Sequence, residues 1–368
     1  MLLNREPYKT VFKIFTFIGF WDEIPIVQRR WTFNVPLTLN ILFILMVYAT
    51  FFRAHDFNDA ITALSTLPIL TVIIFSIFDF LHKKEKLNKF LALVNEIESE
   101  NPDVSVYIDK ACKFNTMIYS IVLFVLFFTH ITYAIIPSMT NKLVFPLHLH
   151  EKLDKNAFVF YFLWIFQVSS GFYSTYTSFL LFEFRNSLLV LITHIMNYYC
   201  YKLSNLSSMV SDHKAKLELE KSTKLHLQIK ELMSLFMDVF SISIYLLLTT
   251  SALVIVSVIY VIVNSHRQMS SYTFMIFMAA TALCQIFIPC FHSSNIETES
   301  ANLIHSLFSS DWTNSDVKYQ KLMVIMMENM KQPMKLRGYG LSEINLEFFI
   351  QTLNTAYSMY AVLQSFKY

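Results

Sequence analysis

Glycine is nearly missing from this chain, with 4 in 368 residues, and there are only 9 prolines, 4 cysteines and 15% charged side chains. Each shortage excludes something. So little glycine argues against close-packed small-xxx-small helix pairs and against the glycine-broken helices of secondary transporters. There is no phosphate-cradling glycine loop, no G-x-S-x-G and no H-E-x-x-H, so no enzyme activity and no cofactor are expected. Cys112, Cys200, Cys284 and Cys290 have neither disulfide-framework nor zinc-site spacing. A net charge of +2 gives no reason to expect nucleic acid. What is abundant is apolar: 55% hydrophobic and 16% aromatic residues. A soluble domain carries about 25% charged residues, so this composition belongs to the bilayer.

A membrane-spanning helix needs about 20 mostly apolar residues. Seven stretches qualify, near 33–52, 61–81, 116–137, 157–182, 235–263, 272–292 and 344–366. The expected fold is an all-α membrane protein with seven transmembrane helices. Its divisions are an N-terminal cytoplasmic segment (1–31), helices one to four (32–182) and a cytoplasmic helical extension (183–234). Helices five and six (235–292), a cytoplasmic helix and loop (293–342) and a last helix (343–368) follow. "VFKIFTFIGFW" (11–21) is too short to span and lacks a cleavage site, and it reads as an amphipathic segment on the membrane surface. With the N-terminus inside, cytoplasmic segments hold 23 of the 29 Lys and Arg residues and outer segments hold 6. That asymmetry orients the N-terminus inside and the C-terminus outside. The sequon Asn205-Leu206-Ser207 then falls in the cytoplasm, where it escapes glycosylation. This orientation is opposite to that of a G-protein-coupled receptor.

The cytoplasmic parts are patterned as helices. In "LHLQIKELMSLF" (225–236), Leu225, Ile229, Leu232 and Phe236 share one face. Further on, Thr313, Asn314 and Ser315 offer caps. Val317, Leu322, Ile325, Met326 and Met330 then recur until Pro333 stops the helix. Such faces need cover, by packing within one subunit or, on a sharper reading, by an oligomerisation domain; the first is slightly favoured.

The last helix poses a question of its own. On a wheel of 100° per residue, Asn354, Thr355, Ser358, Val362 and Ser365 lie within about 60° of Gln351. Phe349, Leu353, Ala356, Tyr360 and Leu363 occupy the opposite face. The polar stripe is either glue against a neighbouring helix or a pore wall with Val362 as an apolar constriction. The wheel by itself favours glue.

Residues 285–366 change that weighting. "SSDW", "KLMVIMMENMKQPMKL", "GYGLSEINLEFF" and "LNTAYSMYAVLQ" occur there in order, with "HLQIKELM" leading into the fifth helix. This pattern resembles the insect odorant receptor family. One departure is "HSSN", where the family commonly has a Gly-Asn pair after the sixth helix. The resemblance implies an odorant-gated, nonselective cation channel in the plasma membrane of a sensory neuron dendrite. It implies four subunits, with the last helix of each lining a central pore and the cytoplasmic helices anchoring the tetramer. The chain lacks the long cytoplasmic insertion of the odorant receptor co-receptor (Orco), so it looks like a tuning subunit partnered by Orco in a heterotetramer. Carried over, Val362 takes the gate position, and Gln364 and Ser365 lie near the outer mouth. Gln351, Asn354, Thr355 and Ser358 would face the cations.

The same resemblance places a small volatile odorant in the outer half of the bundle. A mostly apolar, aromatic pocket with one or two polar points suits such a ligand. Depth and residue type select Leu67, Leu70 and Ile74 on helix two, and Phe127, His130, Ile131 and Ala134 on helix three. They also select Tyr161, Trp164, Ile165 and Val168 on helix four, and Val256 and Tyr260 on helix five. The many aromatic candidates suggest an aromatic or heteroaromatic ligand. His130 is balanced between a binding role and a structural one. His148, His150 and Glu151 in "HLHE" make a weak metal pattern, and a solvated loop is the better reading. Asp79, Glu183 and Asp238 are expected to pair with Arg185, Lys83 or Lys84. Competing readings are a gustatory-type channel of the same superfamily and, further off, a G-protein-coupled receptor.

Overall fold

The structure is a computed structural model that describes residues 8–21, 33–53, 57–140, 157–206, 212–264, 269–310 and 315–365 except 341, together with residues 2, 5, 6, 312 and 313. Its helices are α1 (Tyr8–Ile18), α2 (Val35–Arg53), α3 (Phe57–His82), α4 (Lys84–Glu100), α5 (Val104–Thr140) and α6 (Ala157–Ser204). They continue with α7 (Asp212–Asn264), α8 (Met269–Phe308), α9 (Val317–Met330) and α10 (Leu346–Ser365). A two-residue antiparallel pair, β1 (Arg337–Gly338) and β2 (Ser342–Glu343), joins α9 to α10. The "HLHE" segment and the serine of the sequon lie outside the described residues.

Six helices, α2, α3, α5, α6, α7 and α8, are long and apolar enough to cross a membrane. The last helix, α10, has 20 residues and a more polar sequence. At 1.5 Å per residue the 48 residues of α6 run about 72 Å, more than twice a hydrocarbon core of about 30 Å. The fourth predicted span and the first part of the extension after it, to Ser204, are therefore one continuous rod, and the end of the extension opens α7. The fifth span likewise begins inside the 53-residue α7.

These rods define two ends. At the charged end lie α1, α4, α9, the β pair and the ion pairs resolved among the described residues. Lys83 meets Asp79 at 2.8 Å, Lys86 meets Asp238 at 2.7 Å, and Lys224 pairs with Glu96 and Glu100. Lys84 sits over the Trp21 ring. At this end α6 is buried continuously from Phe179 to Thr193 and partly beyond, with Phe184, Leu188, Leu189, Leu191, Ile192, Ile195, Met196, Tyr199 and Leu203 fully buried and Tyr201 exposed. The predicted stripe Leu225, Ile229, Leu232 and Phe236 of α7 is buried as one face. From α4, Leu87, Phe90, Leu91, Val94 and Ile97 are buried, and this helix packs on α7.

Two expectations change here. The apolar face of α1 is covered by protein: the Phe12 and Phe15 rings both meet Phe184 at 5.4 Å, and the Tyr8 hydroxyl donates to the Ser187 carbonyl at 2.8 Å. A ready-made aromatic socket on α6 competes with the membrane surface for this face and takes it. The face predicted for α9 also divides. Met326 and Met330 are buried with Tyr319 and Met323, whereas Val317, Leu322 and Ile325 point outward with Val324. With apolar residues around so much of the helix, spacing alone did not choose the inward side.

Candidate functional site

Toward the middle of the bundle the helices part around a cavity of about 150 Å³. Its wall comes from five helices. Phe43 is from α2, and Thr66, Ile69, Leu70 and Ile73 are from α3. Val122, Leu126, Thr129, His130 and Tyr133 are from α5. Gly171, Ser174, Thr175, Ser178, Phe179 and Phe182 are from α6. Phe274, Met278, Thr281, Ala282, Cys284 and Gln285 are from α8. The spacing explains the wall: 171, 174, 175, 178, 179 and 182 form an i, i+3, i+4 stripe on α6. Gly171 is required by contact, since a Cβ there would lie 3.3 Å from Cε1 of Tyr133.

The wall is apolar with its hydroxyls largely turned back on their own helices. Thr129 donates to the Val125 carbonyl and Thr281 to the Phe277 carbonyl, both at 2.9 Å. Ser174 donates to Ser170 at 2.9 Å and accepts from Asn40 Nδ2 at 2.7 Å. Such back-bonding lets a hydroxyl sit in an apolar wall at little cost. The His130 ring is collared by Phe172, Tyr176 and Tyr133, with centroids 5.3, 5.7 and 6.2 Å away. Its two ring nitrogens are buried without a hydrogen-bond partner among the described residues.

Of the residues selected from sequence for the ligand, Leu70 and His130 line this cavity. Leu67 is buried one turn away on α3, and Ile74 is half-buried. Phe127, Ile131, Tyr161 and Ile165 lie on the outer surface of the bundle; Tyr161 is 56% exposed. Trp164 donates its indole N–H to the Ala134 carbonyl at 3.1 Å, tying α6 to α5, and Val168 is half-buried nearby in the core. Val256 and Tyr260 are buried in the core, and among the described residues none of α7 lines the wall. The residues that sequence reasoning passed over, Ser174, Thr175 and Ser178 on α6 and Thr281 and Gln285 on α8, carry a signal: small or polar side chains at helical spacing within spans that are otherwise apolar.

The second feature is α10. It packs on α7 and α8, with Ala356 1% exposed and Phe349, Leu353 and Tyr360 half-buried against them. On the opposite side Gln351, Asn354, Thr355, Ser358, Val362 and Ser365 are exposed, Val362 by 54%. Thr355 donates to the Gln351 carbonyl, Ser358 to Asn354 and Ser365 to Val362, all within the helix. Gln364 is half-buried and donates to the Tyr360 hydroxyl at 2.7 Å. Within one chain the stripe therefore glues nothing. The base of α10 is held by its surroundings: the Leu346 N–H donates to Ser294 Oγ at 2.9 Å, and Lys335 bridges Glu297 at 3.2 Å and Glu343 at 2.7 Å. That lysine holds the Glu343 carboxyl below its ordinary range. Gly338 lets β1 lie on α7, because a Cβ would meet Tyr245 at 3.1 Å.

A sequence profile described as the seven-transmembrane odorant receptor family matches residues 56–357. The chain belongs to the odorant receptor family. It is thus a multi-pass membrane protein of a receptor family, not of an enzyme family. Among curated relatives, Odorant receptor 85f of Drosophila melanogaster is 23% identical over 117 residues, 32% of this chain and 29% of that protein. Odorant receptor 46a, isoform A, of the same species is 22% identical over 225 residues, 60% of this chain and 59% of that protein. The matched stretch spans less than a third of the length of the first of these relatives. The olfactory receptor OR5 of Machilis hrabei has the same fold, with a TM-score of 0.83, 13% identity and 96% of both chains covered. Its structure in complex with eugenol aligns with a TM-score of 0.84 at 12% identity, over 97% of this chain and 98% of that one.

Proposed function

We propose that this receptor is the odorant-binding tuning subunit of a ligand-gated, nonselective cation channel. A small volatile occupies the cavity, α10 lines a central pore, and the pore closes at Val362. The observation that carries the reading is the exposed polar stripe on α10, opposite the face docked on α7 and α8. A stripe of uncharged amides and hydroxyls left open by its own chain suits water and passing ions once several subunits surround an axis. The N-terminus is cytoplasmic and the C-terminus extracellular, which puts the charged end of the bundle inside, as the Lys and Arg asymmetry requires. There the exposed Val317, Leu322, Val324 and Ile325 of α9 supply an apolar face for subunit contacts with Orco. The protein sits in the plasma membrane of a sensory neuron dendrite.

The ligand would lie against Leu70, His130, Leu126, Tyr133, Phe274 and Met278. An apolar cavity of about 150 Å³ holds about one benzene ring, which supports an aromatic volatile. The eugenol complex of the Machilis receptor, a substituted single ring on the same fold, is consistent with that size. The test is whole-cell current from cells expressing this chain with and without Orco, under an odorant panel and with GTP-free pipette solution. Odorant-evoked cation current that requires both chains and survives without GTP is expected. Current that disappears without GTP would favour a G-protein-coupled mechanism. Tags on each terminus, read with and without permeabilisation, test the orientation.

A further inference from the structure

Beside His130, whose ring nitrogens meet no partner among the described residues, Gln285 is a polar group of the cavity wall that is not turned back on its own helix. The hydroxyls of Thr129, Ser174 and Thr281 are spent on carbonyls of their own helices. Gln285 instead reaches across to α7, where its Oε1 accepts a hydrogen bond from Ser251 Oγ at 3.2 Å. Ser251 is fully buried, so this bond fixes the carboxamide with its oxygen turned away toward α7. The Nε2 end has no hydrogen-bond partner among the described residues, and Gln285 lines the cavity beside Cys284. An amide nitrogen carries two donors, and beside an apolar wall they have a strong reason to meet an acceptor.

We propose that Gln285 is the polar recognition point for the ligand, which is a neutral, single-ring-sized molecule bearing a hydrogen-bond acceptor such as a ketone, ester or ether oxygen. This rests on the cavity being the ligand site, as proposed above. The amide N–H donates to the ligand oxygen while Ser251 holds the other end of the same side chain. Among the described residues α7 adds none to the wall, so a ligand bound this way is linked through one side chain to α7, which together with α8 carries α10. Recognition and the first step of its relay then share one residue.

The test is a set of matched pairs applied to the receptor with Orco: acetophenone against isopropenylbenzene, and further aryl ketones and ethers against hydrocarbon isosteres. The readout is the ratio of EC50 values within each pair. In the native chain the oxygen-bearing member is expected to be favoured by about tenfold or more, the cost of leaving a desolvated donor unpaired. Gln285→Met, which keeps length and volume, should bring that ratio to about one while responses to the hydrocarbon persist. Ser251→Ala frees the amide without altering the wall and should narrow the ratio part-way, with surface expression unchanged. A preference that survives Gln285→Met, or equal potency of both members in the native chain, overturns this assignment and leaves the cavity reading standing. Silence toward both members of every pair, with surface delivery confirmed, overturns the cavity reading and the assignment with it.

Discussion

The two ends of the bundle are built on different rules. Near the charged end α6 is buried on all sides from Phe179 to Thr193, and Phe184 alone meets the rings of Phe12, Phe15, Phe80 and Phe240. Toward the other end the same helix exposes Tyr161, Phe162 and Ile165, and its inner face borders a cavity. One continuous helix thus passes from a packed interior, where every methylene counts, to a wall that borders open space. The lesson is that stability is concentrated where the helices leave the membrane and receptivity where they cross it. A binding region can tolerate a cavity because its supports are fixed elsewhere.

The strongest way to break the contrast is Phe184→Ala. Emptying the aromatic socket should cost about 3–5 kcal/mol, and the measurement is the melting temperature of the detergent-solubilised protein alongside its surface level. Thr281→Trp makes the complementary change by filling the cavity from α8. It should leave surface level close to native and raise the odorant EC50 by at least about tenfold; an undiminished response would remove the ligand from the cavity. Val362→Ala is milder still for folding, since surface substitutions stay within about 0.5 kcal/mol. It should leave the melt unchanged but raise current in the absence of odorant, and an unaltered resting current would count against a constriction at this residue.

The smallest effect is at the base of α10. Lys335 holds Glu343 in its ionised form, so the folded carboxyl releases its proton at lower pH than the unfolded one. That contribution is present above the ordinary carboxylate pKa and disappears as pH falls below it. The native protein should therefore lose slightly in thermal stability below about pH 4.5, Glu343→Gln should remove that loss, and the two melts should converge in strong acid.

How much of this was readable in advance differs between the helices. On α10 the wheel separated Gln351, Asn354, Thr355, Ser358, Val362 and Ser365 from Ala356 and its neighbours, and the structure puts them on opposite sides. Polar and apolar residues alternate there with helical period, so the periodicity carries direction. On α5 and α6 it does not. Phe127 and Tyr161 face outward while Leu126 and Phe179 face the cavity, and all four are apolar or aromatic. A bilayer accepts the same side chains as a protein interior, so a helix hydrophobic all round leaves no trace of which side is which.

The sequence by itself determined that this is a helical membrane protein. It determined where six long apolar segments lie, the stripe on the last helix and, through ordered motifs near the C-terminus, the family. Those properties are local: hydropathy, periodicity and spacing along one chain. Only the tertiary structure decided that α1 packs against α6, which side of α9 stays open, and which residues of α5, α6 and α8 enclose the cavity. These depend on the rotation of each helix about its own axis. That rotation is set by shape complementarity among neighbours distant in sequence, such as Gly171 against Tyr133, where hydrophobicity alone is indifferent.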